Sequence, residues 1–516
     1  MNGRVHKSLL NAKVNLLFYF LSLILAFFSR KIFLDCLGAE FIGLTGTLGN
    51  ILGYLNLSEL GITASIGYFL FKPIQEKDHQ KIEEILSLLG YLYWWIGGII
   101  LAGGIVISLF FPLIFSKATI SLAVIYFAFY SLIGSALIGY FINYRQQLLY
   151  SDQKGYIVAV YMQSAGLTKT ILQIFIAYYY RNLFIWIGIE FLFSIIGCII
   201  LNWKINQEYP WLNVDKRRGK QLLKHYPEII TKTKQLFIHK IKDFVLKKSD
   251  ELFIFFFVSL QTVAFYGNYM IIITKLTSFF GAASGDIGSS IGNLVAEGNK
   301  SNILKVFWEF TSIQHTIAAT LCFSLYTLLE PFVAHWLGME YIMDHRILVL
   351  LMIYIYISNS RTSVDNFNFA YGLYADTWSA WAELFINVTV TIICGLRWGI
   401  IGILLGKIVS LLAIVVLWKP HYLFSAGFKE PISNYWKNVL KNYAVSAFSI
   451  GISLIVIRFI PLNPYNNIIE WVGYGIAGMI IFLTIELTAN ILFVKGAKDI
   501  VQRIKERLGN KYTLWQ

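Results

Sequence analysis

Arg30, Lys169, Lys275, Arg361 and Lys407 lie within or beside long apolar runs, and so do the carboxylates Glu59, Glu190, Asp250, Asp286, Asp365, Glu383 and Glu486. A charge at the centre of a hydrocarbon layer costs about 2.5–3.5 kcal/mol on insertion scales, so such residues face a bundle interior or a water-filled cavity and find partners there. The basic group can hold an anion, arginine through its two-pronged guanidinium and lysine as a point charge, or it can reach out to the nearest interface. The carboxylates can bind a coupling proton or sodium ion, or neutralise the basic residues; Arg361 has a partner in Asp365 one turn on. Glu59 stands out because it sits in mid-run beside Gly61, with Asn56 and Ser58 close by. Asp250 stands out because Lys240, Asp243, Lys247 and Asp250 recur at i, i+3, i+7 and i+10, one polar stripe on a helix whose other face holds Phe237, Ile241, Phe244, Val245 and Leu252. Such a helix lines a wet lumen or lies flat on the inner leaflet.

The elements that must position these groups follow from composition. Of 516 residues, 57% are hydrophobic and 14% charged, against about 25% charged in a soluble domain. That excludes an ordinary soluble enzyme. With about 20 apolar residues needed per crossing, about fourteen transmembrane helices are expected, over 14–34, 41–71, 86–115, 119–144, 157–180, 182–203, 237–260, 263–295, 306–330, 346–371, 379–396, 399–418, 438–460 and 468–494. The four cysteines (Cys36, Cys198, Cys322, Cys394) have no CxxC spacing and no neighbouring histidine, so no metal site is expected. No GxxxxGK[ST] loop occurs, which argues against ATP hydrolysis.

The formal net charge of +14 needs no nucleic acid partner, because cytoplasmic loops of membrane proteins collect Lys and Arg. With both termini inside, 28 basic residues fall on inner loops and seven on outer ones. The apolar part of the seventh span, Leu252 to Leu260, is too short to cross alone. Omitting the span reverses every later loop and puts the basic C-terminus outside, so it must begin near Phe237 and carry its charges into the membrane. The stretch from Lys204 to Lys234, with DKRRGK at Asp215 to Lys220, reads as a basic cytoplasmic linker. It is either a solvated loop or one drawn to anionic headgroups.

At a shift of 224 residues Phe41 aligns with Phe265, Gly43 with Gly267, Leu52 with Leu276, Gly61 with Gly285 and Ser65 with Ser289. The shift carries spans 1–6 onto 7–12, so the copies would share orientation about an axis along the membrane normal. The expected organisation is a six-helix bundle over 1–203, a linker over 204–236, a second six-helix bundle over 237–420, and two extra helices with a basic cytoplasmic tail over 421–516. Glycines between Gly43 and Gly67 and between Gly281 and Gly292 would let helices approach closely or bend.

Several segments carry a likeness: SRKIFLDCLGAEFIGL at Ser29 to Leu44, ELGI at Glu59 to Ile62, LYSDQKGY at Leu149 to Tyr156, YGNYMIIITKL at Tyr266 to Leu276 and SSIGNLVAEG at Ser289 to Gly298. The chain resembles the polysaccharide (O-antigen, Wzx-type) flippases of the multidrug/oligosaccharidyl-lipid/polysaccharide exporter superfamily. The resemblance implies an all-α polytopic protein of the bacterial cytoplasmic membrane, two bundles working by alternating access, and transbilayer movement of an oligosaccharide carried on polyprenyl pyrophosphate, alongside other polysaccharide-assembly proteins. In that setting Arg30, Lys240, Lys247, Lys275 and Arg361 would contact the pyrophosphate. Arg30 also stands, like a cavity arginine of the related lipid II flippases, shortly before a Gly-Ala pair, here Gly38 and Ala39. Tyr266, Asn268 and Tyr269 would hydrogen-bond or stack on sugars, or form part of an interfacial aromatic belt. Glu59, Asp250, Asp286 and Asp365 would bind a coupling proton or sodium ion or pair with the cations.

Two other classes compete. A small-molecule drug or cation antiporter on the same scaffold usually needs twelve spans. A membrane glycan polymerase or glycosyltransferase would need a substantial outer loop, and the longest here, around Glu330 to Arg346, offers Glu340, Asp344 and His345 without an acid/base constellation.

Overall fold

The computed structural model describes residues 2–59, 61–283, 287–373 and 376–513; within these, the side chains of 2–9, 58, 64, 232, 234–245, 247, 281–283, 287–289, 504 and 507–513 are outside the described set. All regular structure among the described residues is helical. In chain order the first helices are α1 (Asn2–Leu37), α2 (Ala39–Leu55), α3 (Ile62–Glu76), α4 (His79–Leu109), α5 (Phe111–Ile114), α6 (Leu122–Phe141), α7 (Gln146–Ser151), α8 (Gly155–Tyr179), α9 (Leu183–Glu208), α10 (Gly219–His225) and α11 (Pro227–Phe257). They are followed by α12 (Leu260–Ala283), α13 (Ile287–Ala296), α14 (Lys300–Trp336), α15 (His345–Ser360), α16 (Thr362–Ala370), α17 (Thr377–Trp398), α18 (Ile400–Ser410), α19 (Lys419–Tyr422), α20 (Ile432–Val456), α21 (Ile468–Phe493) and α22 (Lys495–Thr513).

Contacts divide the chain into two compact units, Met1–Ala264 and Phe265–Gln516. In the first, α1 packs on α8, α8 and α6 on α9, and α4 on α3, α6 and α10, while α11 lies against α2 and α3. α11 therefore belongs by its contacts to this unit, whereas the sequence-based boundary falls at 237. The core of the unit gathers Ile66, Leu70, Ile85, Leu86, Leu89, Leu148, Leu201 and Ile205 from α3, α4, α7 and α9. In the second unit α14 packs on α15, α20, α21 and α22, and α17 on α18. Phe307, Phe367, Phe424 and Phe428 form an aromatic core there, Phe307 and Phe367 edge to face at 5.2 Å.

Ten described helices are long and apolar enough to cross a membrane, and on α1 Leu16, Leu17, Phe20, Ile24 and Phe28 are left exposed, as a lipid-facing surface requires. The chain is a multi-pass membrane protein. The four expected spans outside those ten are 41–71, 157–180, 237–260 and 263–295, and each departs from a plain apolar rod. The first is broken between α2 and α3, α8 carries Lys169 among Gln163, Ser164, Thr168, Thr170 and Gln173, α11 is rich in charge, and the last carries Lys275 and Asp286. Past α18 the helix continues to Phe428 through two π-helical stretches, Leu411–Trp418 and Leu423–Phe428, that flank Pro420. Proline has no N–H to give and disturbs the ordinary ladder.

The basic linker is docked rather than loose. The Asp215 N–H donates to Ser87 Oγ (3.0 Å), the Asn213 N–H to Glu83 Oε1 (2.7 Å) and Tyr226 Oη to Glu84 Oε2 (2.6 Å), all on α4. Lys216 Nζ donates to the Phe141 carbonyl (2.7 Å) and sits 4.8 Å above the Tyr144 ring. Burial there pulls the Lys216 ammonium below its usual range, with Arg145 adding to the effect.

Candidate functional site

The helix that starts at Ala39 stops at Leu55, passes through a tight 3-10 turn over Asn56–Glu59, and restarts at Ile62 after Gly61. Asn and Ser compete for backbone hydrogen bonds and favour turns. Gly61 adopts φ 95°, a left-handed conformation that costs a residue with a Cβ about 1–2 kcal/mol. A helix break at membrane depth is tolerated only where protein groups or water satisfy the freed polar atoms. This one presents Glu59.

Three hydroxyls converge on that carboxylate. Thr63 Oγ1, one turn on, donates to Oε1 at 2.8 Å, Tyr93 Oη of α4 to the same oxygen at 2.6 Å, and Tyr140 Oη of α6 to Oε2 at 2.7 Å. Thr63 Oγ1 and Tyr93 Oη are themselves 2.6 Å apart, and the two tyrosine rings meet edge to face at 5.1 Å. Among the described residues no Lys or Arg is within ion-pair distance of Glu59. A half-buried carboxylate held by neutral donors can carry a charge or accept a proton on its remaining lone pair without losing its position.

Beside the break, α11 brings a second acidic pair. Asp250 is buried, with Tyr54 of α2 against it and Ser249, and Glu251 Oε2 accepts from Asn50 Nδ2 at 2.6 Å. α2 can come this close because its facing residues are small. A Cβ on Gly46 would lie 3.5 Å from Glu251 Oε2, and one on Gly43 would fall 1.8 Å from the Leu260 carbonyl oxygen. Ser65 Oγ of α3 donates to the Ile229 carbonyl of α11 (3.0 Å), tying the half-helix beyond the break to the same neighbour.

Arg30 donates from Nη2 to the Ala264 carbonyl at 3.0 Å. Arg361 pairs with Asp365, Nε to Oδ2 at 2.6 Å, as their one-turn spacing predicts. Lys169 of α8 is bound to Glu190 of α9 at 2.7 Å, and Gln173 Nε2 donates to the other oxygen of that carboxylate at 3.2 Å. Lys407 is buried, its ammonium 4.6 Å from the centre of the Tyr354 ring. Tyr266, Asn268 and Tyr269 are all buried, and Tyr269 Oη accepts the Met343 N–H at 3.0 Å. In this conformation none of the three is exposed. Lys275 is half-buried on α12. Asp286 and the side chains of Lys240 and Lys247 lie outside the described residues, so of the charged stripe on α11 only Asp250 can be placed.

Tyr93, Tyr140, Thr63, Asn50 and Glu251 are the site residues that sequence reasoning missed. Thr63 could have been found, four residues from Glu59 on a helical face. The tyrosines could not, because nothing in a sequence with 31 tyrosines marks two that lie 34 and 81 residues from their acceptor. Among the described residues no group of His, Cys, Asp and Glu is arranged to hold a metal ion.

No protein-family model matches the chain, and no curated protein sequence does so either. Solved structures do. The lipid II flippase MurJ in an inward closed conformation superposes with a TM-score of 0.64 at 15% identity, covering 92% of this chain and 97% of MurJ. An inward-facing multidrug resistance MATE family transporter of the MOP superfamily superposes at 0.57 and 14% identity, covering 79% of this chain and 95% of its own. The chain thus has the fold shared by these two transport proteins.

Proposed function

We propose that the chain is a flippase that carries a polyprenyl-pyrophosphate-linked oligosaccharide across the bacterial cytoplasmic membrane for surface polysaccharide assembly, with both termini in the cytoplasm. The observation that supports this most is the extent of the match: the lipid II flippase accounts for 92% of the chain, the drug transporter for 79%. Fold alone does not fix a substrate, and the chemistry has to agree. A pyrophosphate with a sugar head cannot cross hydrocarbon unaided, because stripping water from its charges is very costly. Membrane-depth cations answer that need, and Arg30, Lys240, Lys247, Lys275 and Arg361 are assigned to the pyrophosphate, Arg361 by exchanging its Asp365 partner for phosphate oxygen. Tyr266, Asn268 and Tyr269 would reach sugars only in another conformation.

Glu59 is assigned the coupling ion, with Asp250 and Asp286 as further carriers and Asp365 as a charge partner. A proton suits Glu59 better than sodium. Three hydroxyl groups already lie within 2.8 Å of its oxygens, and a metal ion would have to rearrange them, whereas a proton needs one lone pair.

Reconstitution tests the reading. Purified protein in liposomes that carry a pyrophosphate-linked oligosaccharide should move it when a proton gradient is imposed. Arg30→Ala and Lys275→Ala should each slow the movement; full activity in both would remove the cation assignment, and no movement in the native protein would remove the function.

A further inference from the structure

At the end of the second unit where α14 begins and α21 ends, three helices enclose a cavity of about 390 Å³ that the flippase reading does not use; ligand pockets run from about 300 to 1,000 Å³. α22 can lie directly on α14 there because Gly496 has no side chain: a Cβ would run into the Trp308 carbonyl. Each helix lends the cavity residues about one turn apart, Lys305 and Trp308 from α14, Asn434 and Asn438 from α20, and Lys495 and Asp499 from α22. Trp308, whose ring lies 6.2 Å from those of Phe424 and Tyr435, supplies an apolar wall. Exposed apolar residues border the site, Leu492 and Phe493 just before Lys495 and Leu440 two residues past Asn438. The cavity therefore opens where lipid-facing surface ends and charged residues begin, at headgroup depth, the level that tryptophan and tyrosine favour.

The charges around this cavity are only partly matched. Glu430 at its rim pairs with Lys300 at 2.7 Å, and Glu309 of α14 pairs with Arg503 of α22 at 2.9 Å. Lys305, Lys495 and Asp499 remain. Among the described residues neither lysine has a carboxylate within ion-pair distance, and Asp499 Oδ2 is buried with no hydrogen-bond partner. Lys305 and Asp499 are nevertheless neighbours, both near enough to Glu309 to act on its charge. Asn434 Nδ2 donates to Glu430 Oε2 (3.2 Å) and Asn438 Nδ2 to the Asn434 carbonyl (2.9 Å), so both amides keep an acceptor oxygen. A buried carboxylate oxygen without a donor costs stability. The site thus asks for one group that two ammoniums can hold and a second that donates to a carboxylate.

We propose that this cavity binds the headgroup of a bilayer lipid that carries both a phosphodiester and a primary ammonium, a phosphoethanolamine lipid. Lys305 and Lys495 take the two unesterified phosphate oxygens, as basic pockets between membrane helices take headgroups. The lipid ammonium supplies the hydrogen that Asp499 Oδ2 lacks and donates to the amide oxygens of Asn434 and Asn438. Trp308 covers the glycerol stem. A lipid-linked pyrophosphate suits the site less well, because it sets more negative charge against Asp499 and Glu430 and brings no donor for either. A choline headgroup has no N–H to give, and a glycerol headgroup has no cation.

The inference goes beyond the proposed function and is tested without transport. Native mass spectrometry of the full-length protein, released from detergent micelles that hold equal amounts of dioleoyl phosphatidylethanolamine, phosphatidylcholine and phosphatidylglycerol, reads the bound lipid by mass. The phosphatidylethanolamine adduct should be about fivefold more abundant than either of the others, a modest factor because the site is partly solvated. Asp499→Asn should erase that preference and raise phosphatidylglycerol binding, while Lys305→Gln combined with Lys495→Gln should reduce all three adducts. If Asp499→Asn fails to fold, the native preference and the lysine variant still decide the matter. Equal adducts in the native protein, a native preference for phosphatidylglycerol, or a preference that survives Asp499→Asn would overturn the site. Displacement of the bound lipid by an equal concentration of soluble glycerophosphoethanolamine would overturn its assignment to the bilayer.

Discussion

Tyr140 Oη donates to Glu59 Oε2 at 2.7 Å, although the two residues lie 81 positions apart and on different helices. With Tyr93 on the other oxygen, the contact makes the broken helix a fixed mount for a membrane-depth acid. Hydrogen bonds to charged groups contribute about 1.5–3 kcal/mol each. Tyr140→Phe and Tyr93→Phe should each lower the unfolding free energy by about 1–3 kcal/mol in detergent, and either loss should shrink when Glu59→Gln is already present. Additive losses in that double-mutant cycle would show that the hydroxyls do not act through Glu59.

Close approach of α2 to the start of α12 rests on Gly43. Alanine there puts a methyl carbon into the Leu260 carbonyl, and the clash is with backbone, which cannot rotate away. Gly43→Ala should cost at least about 1–3 kcal/mol and lower the yield of folded protein. Gly49→Ala, on the same helix and with nothing within 4 Å, should be neutral or slightly stabilising, as alanine is the better helix former. Thermal unfolding of the two variants side by side checks this.

Lys169 and Glu190 predict a different kind of non-additivity. Removing one member of a buried pair strands the other and costs about 3–5 kcal/mol when burial is complete; here both side chains keep about a quarter of their surface, so the loss should be smaller. Lys169→Met and Glu190→Gln should each destabilise the protein more than the double variant does. Equal effects in all three would mean the pair contributes nothing.

Asp344 caps α15 by accepting the Arg346 N–H at 2.9 Å. The Arg346 side chain on its carboxylate, with that backbone N–H, holds it down at about 2. A depressed value means the contribution is complete above the ordinary aspartate range and is lost as pH falls through about 2. Asp344→Asn should therefore lower the melting temperature slightly at pH 6, the pair being solvent-exposed, and the difference from the native protein should close near pH 2.

Much of this architecture is legible in the sequence, and for identifiable reasons. Long apolar runs such as Leu183 to Leu201 announce helices by length alone, and Arg361 and Asp365 announce their pairing because one turn of helix separates them. The break after Leu55 is written in Asn56, Ser58 and Gly61, yet the run from 41 to 71 reads as one span because hydropathy averages over the turn. Lys169 and Glu190, or Tyr140 and Glu59, could not be paired in advance, since their meeting depends on which helices adjoin. Nor could the burial of Tyr266 and Tyr269, since aromatic residues serve core, belt and binding surface alike.

The central claim is that a lipid-linked oligosaccharide moves on this scaffold, driven by an ion taken up at Glu59. It is tested most directly in proteoliposomes by following a fluorescent pyrophosphate-linked oligosaccharide under an imposed proton gradient, in native protein and in Glu59→Gln. The account predicts gradient-driven movement in the native protein that falls to the gradient-free rate in the variant. Equal gradient-driven rates in the two proteins, or movement of a cationic drug with none of the glycolipid, would contradict it.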